Sequence, residues 1–384
     1  MAKRKARARL TSRETDDLDE SEVAGPETRR GASRKALLCT LGPSSLNPQM
    51  IADLEGAGVT SFRINMSHTE IRDLERVIRL IQKSTEVPIC IDTEGSQIRT
   101  GFMKADVTVE DGAHVRLVPE RVKGDSDVIP ITPGYVLERL DASARMSIDF
   151  DSVVLQVDRV GNGTAEATVL SGGEIGSHKA VSAFPSPQLP AFSDKDLLAI
   201  RYAVLNRIHQ YALSFCEHPA SVNHLRELVG PRSTIMAKIE SRKGVRNLSK
   251  IAQFSDAIII DRGDLSREVR LEAIPLLQKA IIRKANALGL PVYVATNLLE
   301  SMVTRRTPTR AEVNDVMNTL LDGADGLVLA AETAIGRYPL EAAQMVMAML
   351  KEYEGSVEGY RIDDLLGDHP LAIDRRNRGV RSNL

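Results

Sequence analysis

From residue 36 the chain alternates short β-branched or apolar runs with amphipathic stretches, the pattern of a parallel sheet wrapped by helices. Eight runs read as strands: Ala36 to Leu41, Thr60 to Asn65, Val87 to Asp92, Gln210 to Phe215, Thr234 to Glu240, Ala257 to Asp261, Val292 to Thr296 and Gly326 to Leu329. Helix starts lie between them. Asn47 is an N-cap with Pro48 behind it, Ser193 precedes Asp194 to Arg207, and Thr309 precedes Arg310 to Leu321. Eight such units close a (β/α)8 barrel, the TIM-barrel class of α/β fold. Residues 102–187 break the rhythm, with no convincing helix and with alternating runs such as Val153 to Val157 and Ala165 to Leu170. They predict an inserted small β domain, edged by Gly101 and by Pro185, Pro187 and Pro190. The barrel is thus expected over 35–101 and 188–354, and the insert over 102–187.

Composition narrows the function classes. Fifty basic and 52 acidic residues leave a formal charge of −2, so no overall field recruits nucleic acid or an anionic membrane, and partners must be chosen by local sites. No apolar run approaches the ~18 residues of a membrane span, and charges stand where a signal peptide carries its apolar core. Cys39, Cys90 and Cys216 are far apart in apolar runs, which fits buried thiols in a reducing compartment rather than disulfides. A cytoplasmic protein is expected. Residues 1–34 open basic, from Lys3 to Arg9, and turn acidic from Glu14 to Glu22 with almost nothing to bury, which predicts a disordered tail. Residues 355–384 are polar and expected to be irregular.

In such a barrel the working face is the carboxyl end of the strands. Strand two ends in Arg63, Asn65 and Ser67, strand three in Asp92 and Thr93 with Arg99 beyond, and strand five in Lys238 and Glu240. Strand six leads to Arg262, Gly263 and Asp264, strand seven ends in Thr296, and strand eight leads to Glu332 and Thr333. Met236, Lys238 and Glu240 share one face by the two-residue period, and that face points into the barrel. A buried ion pair for stability alone is the plainer reading, yet Val or Leu would serve stability better than charges that are costly to desolvate. Glu240 and Asp264 offer two carboxylates, a number that suits Mg²⁺ with its retained waters. Arg63, Arg99 and Lys238 supply the cations a transferring phosphoryl group requires. Gly263 lets the backbone approach a ligand and Thr296 adds a hydroxyl donor, so the two together suit a carboxylate. Singly, they read as a turn glycine and a strand threonine.

At these residues the chain resembles pyruvate kinases, in order over about residues 36–354. The segments are KALLCTLGPSS from Lys35, FRINMSH from Phe62, IDTEGSQIRTG from Ile91, GGEIGSHKAV from Gly172, IMAKIES from Ile235, RGDL from Arg262, VATNLLESM around Thr296, PTRAEVNDV from Pro308 and AETAIGRYP from Ala331. The resemblance implies phosphoryl transfer from phosphoenolpyruvate to ADP, giving pyruvate and ATP. It implies that Arg63, Arg99 and Lys238 face the phosphoryl group, that Glu240 and Asp264 hold Mg²⁺ or Mn²⁺, and that Gly263 and Thr296 bind substrate. Asn65, Ser67, Asp92 and Thr93 fall where the family binds a monovalent cation. Pro43 and His68, with Arg99, fall where it contacts the nucleotide, and Lys179 where the inserted β domain closes as a lid.

Departures gather near the nucleotide and cation sides. Glu94, Ser96 and Gln97 stand where the family usually shows lysine, proline and glutamate, and a neutral Gln97 leaves a K⁺ requirement open. Ala331 replaces a usual serine, Asn297 a glutamine, Ser266 a glycine, and Asp261 an apolar or small residue. The segment Ile148 to Ser152 lacks the usual Asp-Gly turn. The sequence ends where the family's C-terminal effector domain would begin, so sugar-phosphate regulation through it is not expected, and a homodimer through barrel helices is. These departures motivate two other readings: an enzyme of another class using the same metal-enolate site, for keto acid decarboxylation, aldol chemistry or a non-ADP acceptor, and a non-catalytic metabolite-sensing paralogue.

Overall fold

Each of the eight apolar runs forms a strand: β1 Ala36–Thr40, β2 Ser61–Asn65, β3 Ile89–Asp92, β4 Gln210–Leu213, β5 Thr234–Ile239, β6 Ala257–Asp261, β7 Val292–Ala295 and β8 Gly326–Leu329. The structure, a computed structural model, describes residues 35–356 apart from 106, 120 and 150; the expectations for residues 1–34 and 357–384 lie outside the described residues. The eight strands pair in parallel and close, β8 returning to β1 through Ala36↔Gly326 and Cys39↔Leu329. Closure buries both faces of every strand, which is why β6 reads AIIID with no exposed residue.

The two-residue period divides those faces. Leu38, Cys90, Ala212, Met236, Ala257, Ile259, Ala295 and Val328 pack together inside the barrel. Their sequence neighbours Leu37, Ile91, Tyr211, Leu213, Ile258, Ile260 and Leu327 pack in a second cluster with the helices. Each fully buried side chain of this kind stabilises the fold by about 1.5–3 kcal/mol.

Helix starts follow the capping chemistry. The Asn47 side chain accepts from Met50 N at 2.9 Å ahead of Pro48–Ala57. Capping boxes from Ser193 with Asp196 and from Thr309 with Glu312 open Asp194–Leu205 and Arg310–Leu321. The former ends at Leu205 rather than Arg207, because Arg207 takes a left-handed φ of 56°. The last described helix is Pro339–Ser356, so residues 355 and 356 continue a helix where an irregular tail was expected.

The inserted region closes a second barrel of seven strands over its own apolar cluster, including Leu117, Ile129, Ile131, Met146 and Leu155. One of its strands is Ile98–Thr100, where Arg99 pairs with Thr132 and with Ala180. The boundary expected at Gly101 therefore falls just after a strand of the second barrel, since Ile98 is an inward residue of that cluster. A 3-10 turn at Gly134–Arg139 interrupts the β pattern. No helix among the described residues is long and apolar enough to cross a membrane.

Candidate active site

The inward row of the main barrel is apolar until it reaches the carboxyl ends of the strands, where it turns polar. Thr40, Arg63, Asp92, Lys238 and Asp261 sit there, with Ser214 and Glu240 just past β4 and β5, and none is more than 6% exposed. Charges this deep require partners. Arg63 donates from Nε to Asp92 Oδ2 at 2.6 Å, from Nη1 to Thr40 Oγ1 at 2.8 Å, and pairs with Asp92 again through Nη2. Lys238 Nζ stands 2.8 Å from Glu240 Oε1 and 3.4 Å from both Asp92 Oδ2 and Asp261 Oδ2. It also donates to Ser214 Oγ at 3.1 Å, and Ser214 in turn donates to Asp92 Oδ1 at 3.2 Å.

The electrostatics follow. Burial works against the Lys238 ammonium, but Asp92, Glu240 and Asp261 outweigh it and hold the group above its ordinary range. Burial pushes the Glu240 carboxyl up to about 8, with Lys238 opposing and Asp261 and Asp264 adding to the rise. Asp264 is raised by burial and by Asp261. Asp261 is the exception: burial raises it, yet Lys238 and the Thr296 hydroxyl more than offset this and leave it below the usual carboxylate range.

Glu240, Asp261 and Asp264 each offer an oxygen within 4.8 Å of the others. Glu240 Oε2 accepts from Phe215 N at 2.5 Å, and Oε1 stands 2.8 Å from the Lys238 ammonium with a second lone pair to spare. A hard-oxygen set with one uncommitted buried lone pair fits a divalent cation. The proposed monovalent set is less open. Asp92 is engaged by Arg63, Lys238 and Ser214, Thr93 Oγ1 donates to Ala212 O and accepts from Ser214 N, and Asn65 Oδ1 accepts from Ser67 N at 3.0 Å.

Thr296 closes one side. Its φ is 76° and that of Asn297 is 56°, a left-handed turn that a β-branched residue adopts only when its surroundings impose it. Arg262 imposes it: Nη2 donates to Thr296 O at 2.8 Å and Asn297 O at 3.2 Å, while Nη1 is anchored on both Asp315 oxygens at 2.9 and 2.7 Å. Thr296 Oγ1 donates to Asp261 Oδ1 at 2.5 Å. Gly263 must be glycine for this packing, since a Cβ there would stand 2.8 Å from Thr296 Cγ2.

The remaining residues lie around this centre. Arg99 donates to Gln97 Oε1 at 2.8 Å and His178 O at 3.1 Å; burial and the nearby Arg267 lower its pKa, while Glu94 and Asp264 oppose. His68 lies on the exposed side, and its pKa is lowered by partial desolvation and by Arg99 and Arg63. Lys179 pairs with Asp149 at 2.6 Å in the second barrel. Pro43 lies in an exposed turn after β1. Glu332 and Thr333 serve as braces: Glu332 accepts from Leu299 N and Ala330 N, and Thr333 donates to Thr40 O. A cavity of about 400 Å³ opens beside the carboxylates, lined by Gln97, Phe215, Glu240, Asp264 and Arg267 and by residues 180–183 of the second barrel.

Sequence reasoning passed over four residues that shape this site. Ser214 and Asp261 stand at strand ends like those singled out, and Asp315 is visible only through its pairing with Arg262. Asp196, fully buried, accepts from Glu94 N at 2.7 Å and Gly95 N at 3.0 Å and so pins the loop leading to Arg99.

The sequence matches a family described as "Pyruvate kinase, barrel domain" over residues 32–343. It is 38% identical to a pyruvate kinase of Methylorubrum extorquens, over 84% of this chain and 69% of that protein, and 33% identical to one of Thermotoga maritima, over 85% and 72%. A crystal structure of a pyruvate kinase from Cryptosporidium parvum superposes with a TM-score of 0.77 at 30% identity, covering 85% of this chain and 70% of that one. With an eight-stranded barrel, a second β barrel and a buried cluster of charges at the barrel mouth, the chain belongs to the pyruvate kinase family.

Proposed function

We propose that the chain transfers the phosphoryl group of phosphoenolpyruvate to ADP, giving pyruvate and ATP, with Mg²⁺ or Mn²⁺ held by Glu240 and Asp264. The observation that carries this reading is the single buried cluster in which Lys238, 2.8 Å from Glu240, meets the carboxylates of Glu240, Asp261 and Asp92, the last held by Arg63. A divalent ion bound there supplies positive charge to phosphoryl and enolate oxygens. Lys238 and Arg63, fixed by buried partners, present cations that do not need to reorganise as charge moves to the phosphoryl oxygens. Arg99, tied to Gln97 and the His178 carbonyl, stands at the junction with the second barrel and bears on the phosphates from that side. Gly263 and Thr296 border the substrate, near its carboxylate and its enol carbon.

Pro43, His68 and Lys179 form the nucleotide side, and Asn65, Ser67, Asp92 and Thr93 the monovalent side. The second barrel acts as a lid whose closure excludes water, so that phosphoryl goes to ADP rather than to hydrolysis. The barrel that carries the charged centre catalyses the reaction, and the second barrel, which Ile98–Thr100 joins, is the lid. A cytoplasmic location accords with three buried free cysteines, and a homodimer is the proposed assembly. Phosphoryl transfer accords with the relatives better than decarboxylation, aldol chemistry or sensing does. A lactate dehydrogenase-coupled assay with phosphoenolpyruvate, ADP and Mg²⁺, with and without K⁺, tests the proposal. Turnover dependent on the divalent ion supports it; none under either condition overturns it.

A further inference from the structure

Asp261 stands where the family usually carries an apolar or small residue, and its position is inward by the same parity as Ala257 and Ile259. Its two oxygens have different tasks. Oδ2 faces Lys238 Nζ at 3.4 Å, and Oδ1 takes the Thr296 hydroxyl at 2.5 Å. An ionised carboxylate beside an ammonium accepts hydrogen bonds and donates none, so the shared hydrogen comes from Thr296. A hydroxyl has one hydrogen. Once it is committed to Asp261, whatever lies on the open side of Thr296 meets lone pairs only. The hydroxyl is held by that 2.5 Å bond to a charged acceptor, and the backbone that carries it is clamped by Arg262, itself anchored on Asp315.

We infer that Asp261 is a positioning residue that sets the polarity of Thr296, turning its hydroxyl from a donor into an acceptor toward the ligand. The ligand atom next to Thr296 is then a hydrogen-bond donor, such as an ordered water or an enol hydroxyl, and not a carboxylate oxygen. This revises the sequence expectation that Thr296 donates to a carboxylate. It rests on the proposed function in placing the substrate beside Thr296.

The test measures the affinity of the Mg²⁺-loaded full chain for phosphoenolpyruvate by calorimetry in a double-mutant cycle of Asp261→Ala and Thr296→Val. Circular dichroism checks that each variant is folded. Freeing the hydroxyl lets it donate to the substrate carboxylate, so Asp261→Ala tightens phosphoenolpyruvate by about ten-fold with Thr296 present, the worth of one hydrogen bond to a charged group. With Thr296→Val there is no hydroxyl to free, and the gain shrinks to what the lost negative charge alone provides. Asp261→Asn, whose amide oxygen still accepts from Thr296 but carries no charge, gives only that smaller gain. Equal effects of Asp261→Ala in both backgrounds, or no gain at all, overturn the inference and leave Asp261 as a charge only. Absence of any phosphoenolpyruvate binding by the folded wild type overturns the substrate assignment itself, and this inference with it.

Discussion

Replacing Lys238 by methionine keeps an unbranched chain of similar length and removes one charge. That charge stands 3.4 Å from the Asp92 and Asp261 carboxylates and 2.8 Å from Glu240, which joins them as a third carboxylate once it ionises near pH 8. At an effective dielectric of ~20 each such contact carries roughly 5 kcal/mol of attraction before desolvation is subtracted. Mutual repulsion among the abandoned carboxylates adds to the loss. Stripping one partner from a buried ion pair costs about 3–5 kcal/mol, and Arg63 still neutralises part of Asp92, so ~3 kcal/mol is the expected loss at neutral pH. The loss grows as pH rises through about 8, because the wild type can then ionise Glu240 against Lys238 and the variant cannot. Urea unfolding followed by circular dichroism at pH 6.5 and 9, in EDTA, measures both quantities. Turnover should fall by at least ~10²-fold, the scale of losing one fixed electrostatic stabiliser. A variant as stable as the wild type at pH 9, within ~1 kcal/mol, refutes the buried-cluster reasoning.

Arg262→Lys cannot serve the Thr296 and Asn297 carbonyls and Asp315 at once, so kcat/KM should drop by about ten-fold or more while the melting temperature changes little; unchanged kinetics would count against the clamp. With EDTA present, stability should fall as pH rises from 4.5 toward about 8, because folded Glu240 retains a proton that the unfolded chain releases. Mg²⁺, by binding the ionised carboxylates, should flatten that slope; urea midpoints across the range decide it, and identical slopes with and without Mg²⁺ contradict it. Asp196→Ala leaves the Glu94 and Gly95 amides without their acceptor and should cost about 3 kcal/mol in thermal unfolding, with activity lowered through the displaced Arg99 loop.

Much of the architecture was legible because barrel strands are local objects. A run such as AIIID at residues 257–261 is apolar on both faces only if both faces are covered, and eight such runs separated by capped helices leave few alternatives to a closed barrel. The capping boxes at Ser193 and Thr309 were equally local. The period that placed Lys238 and Glu240 inward on β5 also places Asp261 inward on β6, so that residue could have been found by the same rule. It was noted only as a departure from a pattern. The strand Ile98–Thr100 was harder to assign, because three residues carry too little periodicity to show which of two barrels they join.

By itself the sequence determined the number and order of the strands, the face on which each charged side chain lies, and the cations and carboxylates available at the strand ends. These follow from a period of two residues and from capping chemistry, both of which act over a few residues. The tertiary structure alone decided which of those groups meet: that Lys238 answers to three carboxylates, that Arg63 is held by Asp92, that Arg262 reaches from β6 to hold the strained turn after β7, and that Thr296 gives its hydrogen to Asp261. Those distances depend on how closure of the barrel sets adjacent strand ends against one another, and that is a property of the whole ring of strands.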